Sequence, residues 1–130
     1  MMDIEKLSWN LPEKVQKEHI ELMNPDKDDD IEQLILPDNK QSCWENCAIV
    51  LSRLKNETFM RFLPKVLEWF KDLNWPGTEV IRCKILRLPK KCVQIEIYNA
   101  IKRAEDEGDE EWAENLYYTF IRPNNWLVHL

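Results

Sequence analysis

The chain has 130 residues and a mass of 15.7 kDa, with 44% hydrophobic and 32% charged residues, which fits a single folded domain over residues 1–130 and excludes disorder by composition. Eighteen basic against 24 acidic residues give a formal net charge of -6, so a nucleic-acid partner is not expected. No apolar run approaches the roughly 18 residues of a membrane span, and Met1 to Lys6 lacks the basic-then-apolar pattern of a signal peptide, so a cytoplasmic protein without a membrane role is expected.

Only two glycines occur, which leaves little for hairpin turns or phosphate-cradling loops, and apolar residues recur at helical spacing instead. Asn10 is expected to cap a helix starting at Leu11-Pro12, with Val15, His19 and Leu22 as its apolar stripe and Asn24-Pro25 as its stop. Asp30 to Gln33 reads as a capping box for a short helix carrying Ile31, Leu34 and Ile35, which Pro37-Asp38-Asn39 ends.

Trp44, Cys47, Ala48, Leu51 and Leu54 then predict one helix, and Phe59, Phe62, Leu63, Val66, Phe70 and Leu73 a longer one. Pro64 inside the second run predicts a kink or a fresh start at the proline. After a turn at Asn74 to Gly77, Ile81, Ile85 and Leu88 mark a helix up to Pro89. Cys92 to Tyr98 alternates like a strand, but Val93, Ile97, Ala100, Ile101 and Ala104 match a helix over more residues, and helix is the reading adopted. Ala113, Leu116, Tyr117 and Phe120 stripe a last helix before Arg122-Pro123.

Cys43 and Cys47 lie four apart, share a helix face and read as small core residues; no Cys-x-x-Cys spacing marks a zinc site. His19 and His129 are the only histidines, and no nucleophile–histidine–acid set can be assembled around either. Glu68 and Asp72, also four apart, read as a shared-face carboxylate pair, for which turn and cap duties suffice. Neither a catalytic residue nor a cofactor or metal is expected.

Charge is unevenly spread. Glu105 to Glu114 holds seven carboxylates and no base, whereas Arg82 to Lys91 holds five basic residues and no acid. The plain reading is two solvated faces that neutralise each other across neighbouring helices. The sharper reading is an acidic surface that steers a basic partner.

Tryptophan recurs near expected helix starts at Trp44, Trp75 and Trp112, with spacings of 31 and 37 residues. Asp72 and Asp109 each precede a tryptophan by three residues, as expected of an acid that ties a turn and caps the next helix. Periods in the thirties built from two helices each are those of α-solenoids. Leu63-Pro64-x-x-Leu67-x-x-x-x-Asp72 followed by Val80 resembles a HEAT repeat.

Three pieces also resemble a family of small bacterial proteins with HEAT-like helices and no assigned function. They are Leu7-Ser8-Trp9-Asn10-x-Pro12-Glu13, Trp44-Glu45-Asn46-Cys47-Ala48, and Leu67-Glu68-Trp69-x-x-Asp72-Leu73-Asn74-Trp75-Pro76-Gly77. The resemblance covers roughly residues 7 to 121. It implies an all-α fold, brings no biochemical activity with it, and through some relatives implies an immunity role in bacterial toxin systems.

The fold expected is a short right-handed α-α superhelix of about three HEAT-like helix pairs. The function expected is non-enzymatic binding of a protein partner, a basic one in the sharper reading, through an acidic or aromatic surface, with toxin neutralisation as one case and homo-oligomerisation as a further option. Candidate binding residues are Trp44, Glu45, Trp69, Asp72, Asn74 and Trp75, and on the later segment Asp109, Glu110, Glu111 and Trp112. The alternative is a small enzyme or metal-binding protein using Cys43, Cys47 and a carboxylate in the helical groove. HEAT-like scaffolds also host DNA glycosylases, but those require a basic concave face and a longer repeat array.

Overall fold

A helical period in the apolar residues yields helices throughout: in the structure, a computed structural model describing residues 2–126, every regular element among the described residues is helical. A 3-10 turn at Ile4–Leu7 leads into α1 (Glu13–Leu22), α2 (Asp28–Gln33), α3 (Gln41–Ser52) and α4 (Asn56–Val66). A second 3-10 segment, Leu67–Lys71, continues α4; α5 (Thr78–Ile85), α6 (Lys90–Asp106) and α7 (Glu110–Leu116) follow, and α7 widens into a π turn at Tyr117–Ile121. The Cys92 to Tyr98 stretch is helical, inside α6.

Helix α3 is the centre of the packing. It lies against the first 3-10 turn, α1 and α5, while α4 lies against α6, and α6 against α7. Cys43, Cys47, Ala48 and Leu51 are fully buried along α3, and Leu63, Val66, Leu67 and Phe70 fill the space beneath α4. Each large apolar side chain so removed from water contributes about 1.5–3 kcal/mol. The one buried amide on α3, Asn46, is satisfied: its Nδ2 donates to the Leu7 carbonyl at 2.8 Å and to Gln16 Oε1 at 2.9 Å, tying the N-terminal turn and α1 to α3.

Several local expectations need correction. Asn10 does not cap α1; Pro12 is the cap residue, and the Asn10 N–H bonds to Ser8 Oγ. The inward residue of α1 is Ile20, whereas Leu22 is 80% exposed. Asp30 is not a cap either, because α2 already begins at Asp28 after Lys27. Pro64 does not start a new helix, since α4 runs through it. Its missing N–H forfeits one bond, and the α-helix ends two residues later by tightening into the 3-10 segment. The apolar stripe therefore stops at Phe70, leaving Leu73 exposed.

The α6–α7 junction takes only three residues, Glu107 to Asp109. Gly108, at φ +75°, closes α6: its N–H bonds to the Glu105 carbonyl and that of Asp109 to the Ala104 carbonyl, the Schellman pattern. Asp109 then caps α7 at once, its Oδ1 accepting from the Trp112 N–H at 3.0 Å. The seventeen residues of α6 hold Lys90 and Lys91 at its start about 25 Å from Glu105 and Asp106 at its end. The mutual neutralisation expected of the two charge runs is not made by ion pairs: among the described residues none involves Glu105 to Glu114.

Candidate functional site

A concavity of about 810 Å³ opens between the N-terminal turn, the loop joining α2 to α3, and the 3-10 segment after α4. Its floor holds two indoles. Trp44 projects from the first turn of α3, 7% exposed, and its Nε1 donates to the Pro37 carbonyl at 2.8 Å, which fixes the α2–α3 loop over the helix. Trp75 is half-buried beside it, the rings meeting edge to face with centroids 5.2 Å apart and planes at 73°.

One wall is the α2–α3 loop, whose backbone is unusual. Leu36 lies at φ +46° and Asn39 at φ +57°. A leucine held in the left-handed region costs about 1–2 kcal/mol relative to its ordinary conformation, and this one lines the groove. The opposite wall carries Lys65, Glu68 and Lys71 from the end of α4 and the 3-10 segment. The tighter 3-10 period brings Glu68 opposite Lys71, at 3.3 Å, rather than opposite Asp72. The carboxylate pair expected at Glu68 and Asp72 is thus not formed.

Charge along the groove divides into paired and unpaired groups. Lys40 bonds to Glu5 at 2.7 Å, and that bond holds its ammonium above the ordinary lysine range. Lys71 is held by Glu68 and also sits 4.9 Å from the centre of the Trp112 ring, so the start of α7 lies one side chain behind this wall. Asp3, Glu32 and Asp38 line the groove without an ion-pair partner among the described residues, against Lys65 as the one similarly unpaired cation.

The candidate residues therefore separate. Trp44 and Trp75 meet in the groove. Glu45 faces away from it, its carboxylate accepting from the Gly77 N–H at 2.8 Å. Asp72 serves its own turn, Oδ1 accepting from the Asn74 N–H, and does not cap α5, whose cap residue is Gly77. Asn74 is exposed beside that turn, and Glu110 and Glu111 are exposed at the start of α7.

Trp69 and Trp112 are not surface anchors. They are 0% and 1% exposed, and their indoles donate to the carbonyls of Pro76 and Leu67. The three tryptophans at the expected repeat points are not equivalent either: Trp75 lies in a turn ahead of α5, and Trp69 is the indole that fills the core there. Trp9, in the first of the family-like segments, is 49% exposed.

Sequence reasoning missed Lys65, Glu68, Lys71 and the N-terminal wall as groove residues, because nothing in their local pattern distinguishes them from ordinary solvated charges. Two of the four cysteines are accounted for by the core, whereas Cys83 and Cys92 are exposed. Cys43 and Cys47 are fully buried; burial pushes the Cys47 thiol up to about 12 and that of Cys43 upward too, so both are protonated and closed off from the groove. His19 behaves as a hydrogen-bonded, half-buried residue, its Nδ1 lying 2.8 Å from the Lys6 carbonyl. His129 and the tail from Leu127 onward lie outside the described residues, while Trp126 packs partly against the core. No helix is long and apolar enough to cross a membrane among the described residues.

A family model described as a domain of unknown function, DUF5071, matches residues 35–126. No curated protein and no solved structure matches the chain. The match takes in the two indoles and the Lys65 to Lys71 wall; Asp3 and Glu32 lie before it.

Proposed function

This chain belongs to the DUF5071 family, and we propose that it is a non-enzymatic protein-binding module that seats a segment of its partner in the Trp44–Trp75 groove. The observation that carries this reading is an edge-to-face indole pair, Trp44 buried and Trp75 half-buried, lining an open concavity of about 810 Å³. Tryptophan is the residue type most enriched among interface anchors, and an indole partly desolvated by its neighbours offers contact area at little entropic cost. Among the described residues, His19 and the buried thiols of Cys43 and Cys47 lie outside the groove.

The same reading treats the architecture as a short HEAT-like, right-handed superhelix of about three helix pairs. Packing of α3 on α5 and of α4 on α6 supports it, since alternate helices stack in that way in two-layered solenoids. The exposed carboxylates of the α6–α7 turn add long-range attraction for a basic partner. Neutralising a basic toxin would be one case of this role, in a cytoplasmic bacterial setting.

Selection of a random peptide display library on the immobilised protein tests the proposal. Selected peptides should lose at least tenfold in affinity on Trp75→Ala, with the helical circular dichroism spectrum retained. Peptides indifferent to that substitution would overturn it.

A further inference from the structure

We infer that the groove recognises a lysine or arginine side chain flanked by apolar residues on the partner segment. This rests on the protein-binding reading above and adds the chemistry of the ligand. Two of the groove's three cations are already committed, Lys40 to Glu5 and Lys71 to Glu68. What faces an incoming ligand is Asp3, Glu32 and Asp38 against Lys65, all four exposed. Two unit charges 4 Å apart attract far more strongly at a partly desolvated wall than in bulk water, so a concave site with this balance favours a cation and rejects a carboxylate or phosphate.

The floor supplies what a bare acidic patch lacks. The face of an indole attracts ammonium and guanidinium groups through its quadrupole, and Trp75 lies half-buried within this same concavity. Leu36 and Pro37, both half-buried, line it alongside, giving apolar surface for the side-chain stem and for a neighbouring residue. Asp3 and Glu32 precede the family match, so part of this charge preference belongs to the chain itself rather than to the region the family model describes.

The test uses the composition of the display-selected peptides, then isothermal titration of one winner against two surface variants. The expected result is enrichment of Lys or Arg, at least fivefold weaker binding on Glu32→Gln combined with Asp38→Asn, and tighter binding on Lys65→Glu. Affinity should fall as salt rises. Winners that depend on Trp75 but carry no positive charge, or that bind the carboxylate variants equally well, would overturn this inference and leave the binding module standing. Winners indifferent to Trp75 would overturn both.

Discussion

The Gly77 N–H donates to Glu45 Oε1 across 2.8 Å, fastening the turn before α5 to α3. The approach is close enough that a Cβ on Gly77 would lie 2.8 Å from the Ala48 Cβ and 3.0 Å from the Trp44 carbonyl. Gly77 also sits at φ +95°, where only glycine is comfortable.

Gly77→Ala is accordingly expected to destabilise the protein by about 2–4 kcal/mol, since left-handed strain and a contact against backbone add together. Glu45→Ala should cost about 1–3 kcal/mol by leaving the Gly77 N–H without its acceptor. Urea unfolding measures both. A Gly77→Ala protein as stable as the parent would refute this account of the turn.

Asp109→Ala removes the cap of α7 and should cost about 1 kcal/mol, while Asp109→Asn, which keeps an acceptor oxygen, should cost a few tenths. Thermal melts of the two variants separate the hydrogen bond from the charge.

Lys84 gives a pH dependence. Its ammonium is 7% exposed and donates to the Leu54 carbonyl at 2.8 Å and to Asn56 Oδ1 at 3.1 Å. Burial, and secondarily Arg87, lower its pKa from the ordinary 10.5. The folded state therefore binds fewer protons than the unfolded chain between the lowered value and 10.5, and stability contributed by Lys84 rises with pH through that window. Stability of the parent relative to Lys84→Met should climb as pH is raised toward 10.5, and a flat difference would contradict the assignment.

Helix α6 carries Lys90 and Lys91 in its first turn and Glu105 and Asp106 in its last, all opposed to the helix macrodipole. Glu105→Lys with Asp106→Lys should therefore stabilise the fold by about 0.5–2 kcal/mol, read by urea unfolding.

Much of the helical framework is legible in the sequence, because α3 repeats its apolar residues over several turns, and in α6 the later Ala100, Ile101 and Ala104 outweigh the strand-like alternation of its start. Where an element is short, the pattern misleads. The stripe assigned to α1 runs through Leu22, yet the helix turns Ile20 inward because Gln16 and His19 are held by hydrogen bonds to the N-terminal segment. Asp109 announces its cap three residues before Trp112, and Gly108 its turn.

The groove is another matter. Its walls come from Asp3, Glu32, Asp38 and Lys65, separated by about thirty residues of chain at the widest steps. No local pattern links them. The indoles drew notice by their rarity, but only burial separates Trp75, at the surface of the groove, from Trp69, locked in the core.

The most direct measurement is fluorine NMR of the protein labelled with 5-fluorotryptophan, titrated with an apolar peptide bearing one central arginine. The resonances of Trp44 and Trp75 should shift in a saturable, salt-sensitive way while those of Trp69 and Trp112 stay fixed. Saturation of the peptide with Trp44 and Trp75 unmoved would contradict a binding role for the groove.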